Sequence, residues 1–293
     1  MARSNEYGPA SNRIVSQRLK LHYAEWGDPS APPLILLHGG KDHCRSWDWT
    51  ARALADGWRV IAPDLRGHGD SQWTDDGEYP MQGFVYDLAQ LIHLLDLAPV
   101  TIVAHSLGGN IALRYSGLYP ETVKKLVAIE GLGPSPEMMK KMAANPMADR
   151  VRSWIEAKRK ASGRTPKKYA SLDDALARMK GANDFLSDEQ ARHLTIHGAT
   201  RNEDGTWSWK FDPYIQIWSP IDMPREAQHE LFGAITCPTL LIYGGKSWAS
   251  NPEKDGRLSY FNNDPQVRLF EDAGHWVHHD QFDDFIALLN EFL

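Results

Sequence analysis

A chain of 293 residues with 42% hydrophobic side chains can bury a sizeable core, as one elaborated domain or a domain plus an insertion. The formal charge of −6 shows no long block of one sign, which argues against nucleic acid or an anionic membrane surface as a partner. Only Cys44 and Cys237 are present, so there is no disulfide framework and no zinc-type spacing. No run reaches the length of a membrane span, and Met1 to Arg13 has no apolar leader; a soluble, cytoplasmic protein is expected.

Taken in order, Leu19, Leu21 and Tyr23 alternate with more polar residues and predict an antiparallel hairpin over Arg13–Glu25. Pro33 precedes LILLH, a short apolar run ending at His38-Gly39-Gly40, as a parallel strand covered on both faces reads. Ser46 is placed to cap a helix carrying Trp47, Trp49, Ala53 and Leu54; WRVIAPD then predicts another buried strand before the glycine-rich LRGHGDSQW. Phe84, Leu88, Leu91, Ile92 and Leu95 share a helical face. VTIVAHSLGGNIA, from Val100 to Ala112, reads as strand, sharp turn and helix, and KLVAIE gives the next strand. Such alternation predicts an α/β fold with a parallel sheet.

The alternation stops at Gly131. Residues 133–234 become polar and helical, with Val151, Trp154, Ile155 and Lys158 in one predicted helix and Leu172, Ala175, Leu176 and Met179 in another. No buried strand is expected there, and the segment reads as a lid over the carboxyl ends of the sheet strands. The sheet resumes with TLLIYGG and QVRLF, and a helix with Phe282, Phe285, Ile286 and Leu289 on one face closes the chain.

In such a sheet ligands bind beyond the carboxyl ends of the strands, where Ser106, Glu130 and His275 fall. Ser106 lies in AHSLG, a GxSxG-type elbow with Ala104 for the first glycine; alternatively it merely caps the following helix. His275, after Ala273-Gly274, is the expected base among twelve histidines. A buried strand rarely ends in an unpartnered glutamate, so Glu130 is the expected acid, with Asp255 and Glu253 as alternatives. The backbone N–H groups of Leu107 and Gly40 would hold the oxyanion. Lys41, Trp207, Trp209 and Trp218 are candidate substrate contacts, and Cys44 reads as a substrate contact rather than a nucleophile. The HxxHH run of His275, His278 and His279 lacks a metal-ligand register, so neither metal nor other cofactor is expected.

Together LLHGG, PDLRGHGDS, AHSLGG and DAGHW resemble the α/β-hydrolase fold family over nearly the whole chain. SLDDALARM, LSDEQARHL and the tryptophan-rich stretch before PTLLIYG resemble its serine hydrolase-like branch. The resemblance implies a mostly parallel eight-stranded sheet with helices on both faces, a core of residues 1–132 and 235–293, and a helical cap over 133–234. Many such enzymes place the acid where this chain has Ser247. In haloalkane dehalogenases it can follow the strand before the cap, where Glu130 lies, but there the nucleophile is aspartate. With Ser106 at the elbow the expected function is acyl transfer, hydrolysis of a small, apolar carboxylic ester. Lactonase, thioesterase or C–C bond hydrolase activity would use the same groups, and a non-turnover binding protein would keep only the pocket.

Overall fold

A computed structural model describes residues 8–163 and 165–293, so the reading of the first seven residues as free of a leader lies outside them. The early alternation forms β1 (Ala10–Ser16) and β2 (Leu19–Trp26), antiparallel from Ala10–Glu25 to Ser16–Leu19. Next come β3 (Pro33–Leu37), α1 (Asp48–Leu54), β4 (Arg59–Pro63), α2 (Met81–Leu94), β5 (Val100–His105), α3 (Leu107–Leu118) and β6 (Val123–Ile129). The insertion holds α4 (Pro136–Ala144), α5 (Met147–Ala161), α6 (Leu172–Lys180), α7 (Asp188–Gly198), β7 (Ala199–Arg201), β8 (Trp207–Trp209) and α8 (Arg225–Gly233). β9 (Thr239–Gly244), α9 (Pro252–Asp255), β10 (Gln266–Phe270), α10 (Val277–Asp280) and α11 (Phe282–Phe292) complete the chain.

The main sheet has eight strands in the order β1-β2-β4-β3-β5-β6-β9-β10. β2 is antiparallel to both neighbours, and the pairs from β4 to β10 are parallel. All six residues of β5 are buried, which explains why Thr101 and His105 are its only polar members. Successive side chains point to opposite faces: Ile102 and Ala104 join Phe84, Leu88 and Ile111 of α2 and α3, whereas Val103 joins Trp47, Phe285 and Leu289 on the other face. Each fully buried large side chain is worth about 2 kcal/mol. Because β3, β5, β6, β9 and β10 run in parallel, their carboxyl ends open on one edge.

Three sequence readings are corrected. The insertion is not purely helical: β7 and β8 pair antiparallel around Asp204-Gly205, where Gly205 has φ 84° and Asn202 N–H bonds Thr206 O at 2.7 Å. Ser46 caps no helix; it lies in a short 3-10 turn over Cys44–Trp47, and its hydroxyl meets His279 Nε2 at 3.0 Å. Cys44 faces no cleft. It is buried, with its N–H on Asp64 Oδ1 at 2.7 Å and its Sγ 3.8 Å from His22 Nδ1. In the insertion, Ser171 with Asp174 and Ser187 with Gln190 form reciprocal caps that start α6 and α7.

Candidate active site

Ser106 joins β5 to α3 with φ 50° and ψ −112°, a conformation unfavourable for a residue with a Cβ. Both sides of the residue are pinned. Its N–H donates to Ile129 O on β6 at 2.8 Å, and its carbonyl accepts the first helical bond from Asn110 N–H at 3.0 Å. The hydroxyl does not cap α3; it lies 3.0 Å from His275 Nε2. Close approach around the elbow depends on missing side chains: a Cβ on Gly108 would stand 2.6 Å from His38 O, and one on Gly109 2.6 Å from Gly131 Cα.

His275 follows β10 on a loop held from two directions. His105 Nε2 donates to His275 O at 2.9 Å, and Gly274 N–H donates to Asp280 Oδ2 at 2.8 Å. A carbonyl only accepts, so His105 carries its proton on Nε2. Burial, reinforced by the neighbouring His275, holds the pKa of His105 well below the usual histidine range, keeping it neutral. The His275 imidazole is half-buried, and the Trp248 ring, 71% exposed, sits against it at 4.9 Å.

Glu130, the first residue after β6, has φ 50°, and its N–H bonds Ile242 O at 2.9 Å. Its fully buried carboxylate accepts from Gly244 N–H at 2.9 Å through Oε1; through Oε2 it accepts from Ser247 Oγ at 2.6 Å and from His275 Nδ1. A carboxylate that takes the Nδ1 proton leaves the Nε2 lone pair facing Ser106, the polarity general-base work needs. The alternative acids are turned elsewhere. Asp255 is bound to Ser250 and forks onto Arg257, while Glu253 lies exposed at the start of α9.

Leu107 opens α3, so its N–H has no intrahelical acceptor, and a Cβ on Gly40 would lie 3.9 Å from Leu107 Cδ2. The two expected oxyanion donors therefore belong to facing segments. Lys41 and Trp209 line one cavity with Asp42, His43, Phe211 and Trp276. Trp207 is bridged to Tyr169, and Trp218 is half exposed, so neither is brought to that cavity. Sequence reasoning missed His105, Ser247 as a donor, and Trp248. Their contacts join segments far apart in the chain, His105 and Trp248 to His275 and Ser247 to Glu130, so position next to the elbow serine or after β9 was the one hint the sequence held.

The HxxHH histidines diverge, since His278 stacks on Trp47 at 4.3 Å and His279 bonds Ser46. Among the described residues, His22, Cys44 and Asp64, and likewise Asp48, His193 and His197, bring ligand-type atoms within 4.8 Å of one another. Both carboxylates are already engaged. Asp64 accepts from His22 Nδ1, Cys44 N–H and Asp70 N–H at 2.7 to 2.9 Å, and Arg45 forks onto Asp48 with both bonds at 2.7 Å.

Comparison with known proteins adds an independent line. The profile of the alpha/beta hydrolase fold family matches residues 32–282. A serine hydrolase-like protein of Danio rerio is 32% identical over 193 residues, 66% of this chain and 58% of that protein. An esterase of Mycobacterium tuberculosis, Rv0045c, is 28% identical over 266 residues, 87% of this chain and 80% of that one. Among solved structures, the thioesterase domain from the curacin biosynthetic pathway superposes with a TM-score of 0.82 at 24% identity, covering 97% of this chain and 99% of that chain; this likeness shows the fold alone.

Proposed function

Because the chain belongs to the alpha/beta hydrolase fold family, we propose that it hydrolyses carboxylic esters through a Ser106 acyl-enzyme. The single observation that carries the reading is the position of His275, with Nε2 3.0 Å from Ser106 Oγ and Nδ1 on Glu130. As Ser106 Oγ bonds the acyl carbon, its proton passes to His275 Nε2, and the carbonyl oxygen becomes an oxyanion held by the N–H groups of Leu107 and Gly40. Collapse of this intermediate breaks the ester C–O bond, and the departing alcohol takes the proton from Nε2. Water then attacks the acyl-enzyme, His275 again accepting a proton and returning it to Ser106 as the acid leaves. The Glu130 carboxylate beside Nδ1 orients the ring and stabilises the imidazolium. These steps use side chains and backbone only.

Residues 133–234 act in this reading as a cap, and Lys41, Trp209 and exposed Trp248 contact a small, apolar ester. Cys44 and Cys237 are both free and buried, which fits a reducing compartment, and the cytoplasm is the proposed location. The test is turnover of a panel of p-nitrophenyl esters, lactones and thioesters beside Ser106→Ala. Ester turnover with a burst, lost in the variant together with fluorophosphonate labelling, is expected; turnover that survives the substitution would overturn the reading.

A further inference from the structure

We infer that the outer face of the insertion docks on an anionic lipid surface through exposed methionines set among lysines and arginines. The chain-wide charge hides an asymmetry. Residues 138–170 carry ten Lys and Arg against two Asp and Glu, a net of +8, which leaves −14 on the rest of a chain whose total is −6. The expectation against an anionic surface rests on the overall balance, which averages this segment with the rest of the chain.

The apolar part of the face begins at α4. None of its nine residues is buried, and Met138 and Met142, four residues apart on one side, are each about half exposed. Met147, at the start of α5, is equally exposed. One turn further on, Arg150 bonds Pro220 O, which brings the loop of Trp218 and Ile221, 52% and 67% exposed, beside it. A helix with no buried residue gains nothing from the protein core, so its apolar side is free for an external partner.

Lys140 and Lys141 lie between Met138 and Met142 on α4, and Lys160 and Lys167 follow at and beyond the end of α5. Lys140, Lys141, Lys160 and Lys167 are exposed, and the pair that Lys141 makes with Glu137 lies wholly in solvent, where it is weak and exchangeable. Flexible thioether chains suit insertion among acyl chains, and lysines beside them suit lipid phosphates. A nucleic-acid backbone would use the charges and leave the methionines in water. Docking here is peripheral, since no described helix is long and apolar enough to cross a membrane.

The test is co-sedimentation of the full chain with vesicles of phosphatidylcholine alone and of phosphatidylcholine with about one-third phosphatidylglycerol. Wild type should pellet with the anionic vesicles only, and added salt should release it. Met138→Ser/Met142→Ser/Met147→Ser and Lys140→Glu/Lys160→Glu/Lys167→Glu should each weaken binding by about tenfold or more, with thermal melting and turnover of a water-soluble ester unchanged. Wild type that ignores both vesicles, pellets equally with both, or binds as strongly after either triple substitution would overturn the inference. So would a concentration-dependent dimer, in sedimentation velocity, that the methionine substitutions abolish, because the face would then belong to a second copy. The melting curve reports folding even if no ester is turned over, so failure of docking and failure of the esterase reading are read separately.

Discussion

Ser247 donates its hydroxyl hydrogen, at 2.6 Å, to the same Glu130 oxygen that faces His275 Nδ1. The turn after β9 therefore holds the carboxylate at the end of β6, with Gly244 N–H fixing the other oxygen at 2.9 Å. The place where the resemblance expects an acid is filled by a donor to the acid.

A buried hydrogen bond to a charged group is worth about 1.5–3 kcal/mol. Ser247→Ala should thus lower kcat by about tenfold to a hundredfold with KM little changed, and Ser247→Thr should restore most of the loss. The split between kcat and KM, with rescue by Ser247→Thr, is the discriminating measurement; a merely structural role would lower the melting temperature and leave kcat in place.

Glu130→Gln should cost about 10⁴-fold in kcat, because an amide no longer stabilises the imidazolium or selects the Nδ1–H tautomer. Asp255→Asn should leave kcat intact and instead destabilise the fold by about 3 kcal/mol, since the buried Arg257 would lose its fork partner. Steady-state kinetics and urea unfolding on the two variants separate these effects. The reverse pattern would move the acid to Asp255.

Burial pushes His38 and His279 down to about 3 and His68 down to about 4 from 6.5. Above pH 6.5 these groups are neutral in folded and unfolded chains alike and contribute nothing to pH dependence. Below it the unfolded chain binds protons that the folded chain refuses, so stability falls as pH falls, by about 1.4 kcal/mol per residue per unit. The three together should remove about 4 kcal/mol by about pH 5.5. Chemical denaturation across pH 7.5 to 5 measures this slope, and His68→Asn should make it shallower by about one proton.

Gly109→Ala would drive a methyl to 2.6 Å from Gly131 Cα, a backbone atom that cannot swing aside. A loss of about 1–3 kcal/mol in stability is expected, with a fall in kcat as the elbow and the Glu130 turn are forced apart. Melting temperature and kcat on a short ester report the two consequences.

What could be read from sequence was whatever repeats over several residues or ends a strand. β5 was legible because burial on both faces demands a nearly continuous apolar run, and the meeting of Ser106, Glu130 and His275 was legible because carboxyl ends of parallel strands share one edge. The β7–β8 hairpin was missed because strands of three residues are too short to show a period. Ser46 looked like a cap because capping is local, whereas its actual partner, His279, is 233 residues away. For His105 and Trp248, position beside the elbow and after β9 was only a hint, because their contacts with His275 form between loops that follow different strands.

One row of backbone bonds runs from Ser106 N–H to Ile129 O and from Glu130 N–H to Ile242 O. The proposed nucleophile and acid are thus hung on neighbouring rungs of the sheet, and none of those rungs belongs to the insertion. Movement or replacement of the insertion would decide which molecules arrive without resetting the spacing of the reacting groups. If residues 133–234 act as the proposed cap, recognition is in that sense a detachable module, and a chimera carrying another relative's insertion should inherit that relative's preferences while keeping this chain's pH profile.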